Sequence, residues 1–229
     1  MQRAATRRVA ILGATGAVGG GALAELLRSP AIAGVTSLGR RSLADAPASP
    51  KLTQHVVDLE DAAGYAPLLA GHDAAICTLG VGQPTKVPRE ALWKIDVDYV
   101  MAFATACRDQ GVGSFALLGA VGADADSSVD YLRMKGELEA QVIALGFFRT
   151  SLFRPSMLLT PHNRYGVGQA ILLKVWPKLD WLLAGRLRRF RGITVADLGR
   201  AMARDAERDD PGVHVYHWDE FSALARATS

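Results

Sequence analysis

The glycines of Val9-Ala-Ile-Leu-Gly-Ala-Thr-Gly-Ala-Val-Gly19 constrain this chain more than any other feature. Four apolar residues followed by glycines at 13, 16 and 19 describe a short buried strand, a tight turn and the first turn of a helix. Positions without side chains let backbone approach a ligand closely, and the helix that follows directs its positive N-terminus at the same point. A pyrophosphate suits such a turn. Glycine also serves strand-to-helix turns that bind nothing, so the rest of the chain has to carry the assignment.

From that turn onward strands and helices alternate. Ala17–Arg28 has helical apolar spacing and ends at Ser29-Pro30, and Val35–Leu38 is a second strand leading to Gly39-Arg40-Arg41. Ala44–Pro50 reads as a surface loop, Leu52–Val57 as a third strand, Ala62–Ala70 as a helix and Ala74–Cys77 as a fourth strand. After a loop over Val81–Arg89, a long helical pattern runs to Gln110 with Trp93, Val97, Val100 and Phe103 inward. Strand Ser114–Leu118, helix Tyr131–Leu145 and strand Thr150–Phe153 follow.

This order predicts an α/β fold, a doubly wound and mostly parallel Rossmann-like sheet with ligands beyond the carboxyl ends of its strands. Gly13, Arg40, Asp58, Thr78, Gly119 and Pro155 fall at those ends. Beyond them come a polar loop Pro161–Tyr165, a helical stretch Val167–Trp176 and an arginine-rich segment Leu179–Arg191. Helix Val195–Glu207, strand Val213–Trp218 and a closing helix Asp219–Ala227, capped by Asp219, complete the chain. We expect one domain over 1–229, with 160–193 as a variable substrate-side or interface segment.

Composition excludes several classes. With 49% hydrophobic and 21% charged residues and no long polar tract, the chain is a folded globular protein. Its net charge of +3 comes without basic runs interleaved with aromatics, so no nucleic-acid partner is expected. Cys77 and Cys107 lack disulfide or metal spacing, and His55, His72, His214 and His217 form no ligand set, so no metal is expected. No run reaches the roughly 18 apolar residues that span a bilayer, and the N-terminal arginines precede no signal-peptide core. A cytoplasmic protein is the expectation. The stretch 171–193 reads as a substrate cover or subunit contact, with interfacial membrane contact as the alternative. Oligomeric state stays open, a homodimer through the helix from Trp93 to Gln110 included.

Two constellations carry chemistry. Dinucleotide folds usually place an acid after the second strand, where it binds ribose hydroxyls; here Arg40 and Arg41 stand there, and two cations suit a 2′-phosphate. The implied cofactor is NADP(H). Tyr131 and Lys135, four apart, share one helical face, and an ammonium beside a phenol is expected to draw its pKa down toward working pH. Such a pair can deliver a proton to a carbonyl undergoing reduction.

With GATGAVG, LGRR, VVDL, YLRMKGELE and FRPS in this order, the chain resembles an atypical short-chain dehydrogenase/reductase and is similar to the Tat-interacting-protein-type oxidoreductases. The resemblance implies a pyrophosphate turn at Gly13, Thr15, Gly16, Ala17 and Val18, with 2′-phosphate contacts at Arg40 and Arg41. It implies Asp58 and Leu59 beside adenine, Leu79 and Gly80 near the adenosine ribose, and Pro155, Ser156 and Met157 beside the nicotinamide. Tyr131 and Lys135 are then the catalytic pair, with Lys135 also on the ribose. The loop bearing His162, Arg164 and Tyr165 lies where this fold builds substrate contacts.

One departure matters. Family enzymes generally carry a serine at the end of the fifth strand, and this chain has Leu118-Gly119-Ala120-Val121. Ser127, Ser128 and Thr78 are the candidate replacements for that hydroxyl. The expected function is reduction of a small carbonyl compound. A non-catalytic NADPH-binding sensor or scaffold, or a quinone or flavin reductase that needs no tyrosine, are the alternatives.

Overall fold

Val9, Ala10, Ile11 and Leu12 are buried without alternation, which is what a strand covered on both faces requires. They form most of β1 (Arg7–Leu12), an interior strand of the main sheet in a computed structural model that describes residues 6–44, 46–160 and 183–227. The strands that follow are β2 (Ile32–Gly39), β3 (Leu52–Val56), β4 (Ala74–Cys77), β5 (Ser114–Leu118) and β6 (Arg149–Phe153). After them come the short β7 (Leu158–Leu159) and β8 (Ile193–Thr194), then β9 (Gly212–Tyr216). The helices are α1 (Ala17–Arg28), α2 (Ala62–Tyr65), α3 (Arg89–Trp93), α4 (Tyr99–Asp109), α5 (Asp130–Ala144), α6 (Val195–Asp205) and α7 (Trp218–Arg226).

The main sheet runs β3-β2-β1-β4-β5-β6-β9, and every adjacent pair is parallel. The expected mostly parallel sheet is therefore wholly parallel, because the last strand joins β6 in the same direction. On one face α1, α6 and α7 bury Val18, Leu26, Leu198, Met202 and Phe221; on the other α2, α4 and α5 bury Tyr65, Phe103, Leu138 and Val142. Strand order reverses between β1 and β4, and a crevice opens at their carboxyl ends.

Local chemistry moves several boundaries. The helix expected over Ala62–Ala70 tightens into a 3-10 turn at Ala66–Leu69, where Pro67 has no N–H to continue an α-helix. The pattern ending at Gln110 is broken by a π-helical turn, Lys94–Asp98, between α3 and α4. The last strand stops at Tyr216, and α7 starts one residue before the expected cap. His217 holds the cap position, donating its backbone N–H to Glu220 Oε2 at 2.9 Å, while Asp219 lies in the first turn and pairs with Arg188 at 2.7 Å. Among the described residues, no helix is long and apolar enough to cross a membrane.

Candidate dinucleotide and active site

The crevice at the β1–β4 switch is a cleft of about 970 Å³. Gly16, Ala17 and Val18 line one end of it. The turn before them is pressed against β4: Gly13 has φ +96°, and a Cβ there would stand 2.7 Å from Thr78 Oγ1 and 2.8 Å from the Leu79 backbone nitrogen. α1 then begins with neither a side-chain cap nor an acid in its first turn, which leaves its free N–H groups and positive end for an anion. This is the cradle a dinucleotide pyrophosphate needs.

The opposite wall is Thr78, Leu79, Gly80 and the loop through Lys86, and the inner end is formed by Gly119, Tyr131, Lys135, Pro155, Ser156 and Met157. Ten of the residues singled out from sequence thus meet in one cleft: Gly16, Ala17, Val18, Leu79, Gly80, Tyr131, Lys135, Pro155, Ser156 and Met157. Thr15 and Arg41 border a second hollow beside the turn, about 550 Å³, closed by Leu43 and Pro47. Arg40, Asp58 and Leu59 line neither hollow. Asp58 turns its carboxylate back to accept the Glu60 N–H at 2.9 Å, and Leu59 is buried in the core. Arg40 and Arg41 are exposed, and neither has an ion-pair partner among the described residues.

The tyrosine–lysine pair departs from expectation. Lys135 Nζ lies 5.8 Å from the centre of the Tyr131 ring, but it pairs with Asp96 Oδ2 at 2.7 Å in a site where both side chains are buried. Burial raises the Tyr131 pKa above the usual phenol value; the lysine opposes that shift and the carboxylate of Asp96 reinforces it. The downward pull expected from sequence is therefore outweighed by burial. Asp96 also accepts the Val81 N–H on Oδ1 at 2.7 Å, tying the cleft wall to the same carboxylate.

The end of β5 explains its own missing hydroxyl. A Cβ on Gly119 would come 2.5 Å from Glu139 Oε1, so a serine there requires that carboxylate to move. Glu139 is buried and takes two hydrogen bonds from Arg154 Nε, at 3.2 and 3.0 Å, and one from Nη2 at 2.5 Å. Burial pushes the Glu139 carboxyl upward while Arg154 opposes it. Ser127 and Ser128 do not line the cleft, and Ser127 Oγ accepts the Val129 N–H at 3.2 Å. Thr78 does line it, with its hydroxyl donated to the Leu12 and Gly13 carbonyls at 3.3 and 3.2 Å. Ser156 presents a hydroxyl on the segment hydrogen-bonded to β5's extension, through Gly119 N–H to Phe153 O at 2.7 Å and Val121 N–H to Pro155 O at 2.9 Å.

Sequence reasoning missed Asp96, Glu139 and Arg154. A signal for Asp96 existed: it falls at helical spacing with Val100, Phe103 and Cys107, all buried, so a carboxylate sits in an apolar stripe. His162, Arg164, Tyr165 and the stretch Val167–Trp176 lie outside the described residues. Of the arginine-rich segment, Gly185–Phe190 is a 3-10 helix, and Arg188 and Arg191 stack on Trp218 at 5.5 and 5.0 Å.

Residues 13–155 match a family model described as NAD(P)H-binding. Among curated proteins the chain is similar to Protein HTATIP2 of Rattus norvegicus, at 38% identity over 76% of this chain and 72% of the relative. It is also similar to Protein fmp52, mitochondrial, of Aspergillus niger, at 36% identity over 72% of each. Among solved structures, its fold is like that of MoeE5 in complex with UDP-glucose and NAD, with TM-score 0.68 at 17% identity, covering 95% of this chain and 80% of that one. Uronate dehydrogenase from Agrobacterium tumefaciens gives TM-score 0.65 at 16% identity over 92% and 76%. At these identities the solved structures bear on fold alone.

Proposed function

The chain belongs to the NAD(P)H-binding family of atypical short-chain dehydrogenase/reductases, and from that premise we propose that it is an NADP(H)-dependent reductase of small carbonyl compounds. The observation that carries this reading is the shared cleft: Tyr131 and Lys135 line the same cavity as the glycine turn and the Pro155–Met157 segment. A reduced nicotinamide dinucleotide, when bound, supplies the hydride. The turn from Gly13 to Val18 and the open end of α1 hold the pyrophosphate, and Leu79 and Gly80 lie along the adenosine ribose, while Asp58 and Leu59, which line neither hollow, are left out of the adenine contacts. Lys135 holds the nicotinamide ribose, Pro155, Ser156 and Met157 border the ring, and Tyr131 gives its phenolic proton to the carbonyl oxygen.

Two exposed guanidiniums without a carboxylate partner among the described residues support a 2′-phosphate at Arg40 and Arg41. Replacing both by alanine is expected to lower NADPH affinity at least about tenfold, the loss of one or more charge-assisted hydrogen bonds, and to leave NADH affinity unchanged. Titration of each nucleotide by intrinsic fluorescence measures the ratio. Equal affinity of the native protein for the two would remove the NADP(H) assignment.

NADPH oxidation against aldehydes, ketones, quinones and flavins tests the activity itself. Tyr131→Phe is expected to lower carbonyl turnover by about 100- to 10,000-fold, the range for a lost general acid. Carbonyl turnover that survives the change sinks the proton-donor role, and quinone or flavin turnover that survives it points to direct hydride transfer. The hydroxyl-free Gly119 favours a second reading, a dinucleotide-binding sensor or scaffold, since losing one donor to a developing oxyanion costs on the order of 100- to 1000-fold in rate. NADPH binding with no turnover across the panel selects that reading.

A further inference from the structure

Asp96 belongs to no role assigned so far. It is carried inward by the π-helical turn Lys94–Asp98, a widened turn of the kind that re-aims side chains at functional sites, and it is 1% exposed. One oxygen meets Lys135 Nζ at 2.7 Å and the other accepts the Val81 N–H at 2.7 Å. We propose that Asp96 is a positioning residue of the reactive centre: by pairing with Lys135 while anchoring the cleft wall at Val81, it offsets part of the lysine's field at Tyr131 and favours that residue as a proton donor over a base. The inference rests on the reading of Tyr131 as the group that exchanges a proton with substrate.

Electrostatics gives the reason. An ammonium alone beside a phenol favours the phenolate, whereas an ammonium held against a carboxylate presents a dipole whose field falls away faster with distance. Tyr131 is then left mainly with the desolvation of its buried surroundings, which opposes ionisation. A phenol held neutral can give a proton to a carbonyl oxygen as that oxygen takes the C=O electron pair, and water restores the proton afterwards. Taking a proton from an alcohol requires the phenolate, which this arrangement makes scarce.

The other ionisable groups around the pair do not replace Asp96. Cys77, at the end of β4, is wholly buried, and burial pushes its thiol up to about 12, so it stays neutral. On α5, Glu139 is engaged by Arg154 of the segment after β6, and Asp130 pairs with Arg133 and, at 3.8 Å, with Arg89. Lys86 lines the cleft from the loop after β4 and adds a cation at its rim.

The test needs neither substrate nor turnover. Ultraviolet absorbance titration of tyrosinate in the native protein, minus that of Tyr131→Phe, isolates the ionisation of Tyr131; the same difference is taken in the Asp96→Asn background. Asp96→Asn is expected to show a several-fold larger Tyr131 tyrosinate fraction at a fixed alkaline pH where the native residue is still phenol, and Asp96→Glu to restore the native curve. Identical curves for native protein and folded Asp96→Asn would overturn the proposal. If Asp96→Asn does not fold, Lys135→Met decides in its place: a Tyr131 curve close to the native one is expected where Asp96 offsets much of the lysine's field, and a Tyr131 that ionises at much higher pH without the lysine would overturn the proposal. A protein that binds NADPH yet reduces no carbonyl fails the functional reading without altering the titration, so the two failures are told apart.

Discussion

Gly13→Ala is expected to abolish NADPH binding and to lower the melting temperature by roughly 10 °C, the scale for a loss of a few kcal/mol in a domain of this size. Two costs combine. At φ +96° an alanine is in backbone territory that costs on the order of 1 to 3 kcal/mol for a residue with a Cβ. That Cβ would also overlap Thr78 Oγ1 and the backbone of Thr78 and Leu79, all within 2.8 Å, and such overpacking costs about 1 to 3 kcal/mol when the neighbour is backbone. Relief requires the turn to lift from β4, which moves the N–H groups at the start of α1 away from the cleft. Gly71→Ala is the matched control: Gly71 has φ +73° and nothing within 4 Å of an added Cβ, so it incurs the dihedral cost alone. It should lose less than half as much stability and bind NADPH normally. Equal losses in the two variants, with binding kept in both, would mean that the turn is not held against β4 and that its glycines serve the backbone only.

The same contrast shows what sequence can and cannot say. Glycine spacing announced the turn because a missing side chain leaves its mark in the letters themselves, and the alternation of strand and helix announced the sheet because burial on both faces demands unbroken apolar runs such as Val9–Leu12. Tyr131 and Lys135 were legible as a pair because one helical turn fixes their relation. The direction in which the phenol is shifted was not legible, since it is set first by burial and then by charges that include Asp96, which lies 35 residues before Tyr131 and reaches the site through a π-helical turn. Gly119 was legible as a lost hydroxyl, but the carboxylate of Glu139 behind it was not, because that contact joins a helix to a strand end across the core. Local rules govern which residues share a face; long-range packing governs which charges they meet there.

Arg149→Met is expected to destabilise the fold by about 3 to 5 kcal/mol, the cost of leaving a buried ion without its partner, while leaving dinucleotide binding intact. Arg149 opens β6 and is 1% exposed. Its guanidinium donates to Asp205 Oδ1 at 2.7 Å, to Tyr216 Oη at 2.5 Å and to the Asp210 carbonyl at 2.6 Å, and it pairs with the Asp210 carboxylate at 2.8 Å. One side chain therefore joins β6, α6 and β9 and fixes the sheet's last strand. Asp205 is 2% exposed, so without the arginine its carboxylate keeps only the Tyr216 hydroxyl, which donates to it at 2.9 Å. Methionine fills most of the volume, so the loss measures charge and hydrogen bonding more than packing. Adding Asp205→Asn removes the stranded charge, and the double variant should recover part of the loss rather than add to it. Arg28→Ala breaks the exposed pair with Glu25 and should change stability by less than about 1 kcal/mol. Chemical denaturation of the native protein, Arg149→Met, Asp205→Asn, the double variant and Arg28→Ala, with NADPH titration alongside, decides the matter. Additive losses at Arg149 and Asp205 would show that the two act separately. Loss of binding without loss of stability would place Arg149 in the function of a cleft that lies at the opposite end of β6.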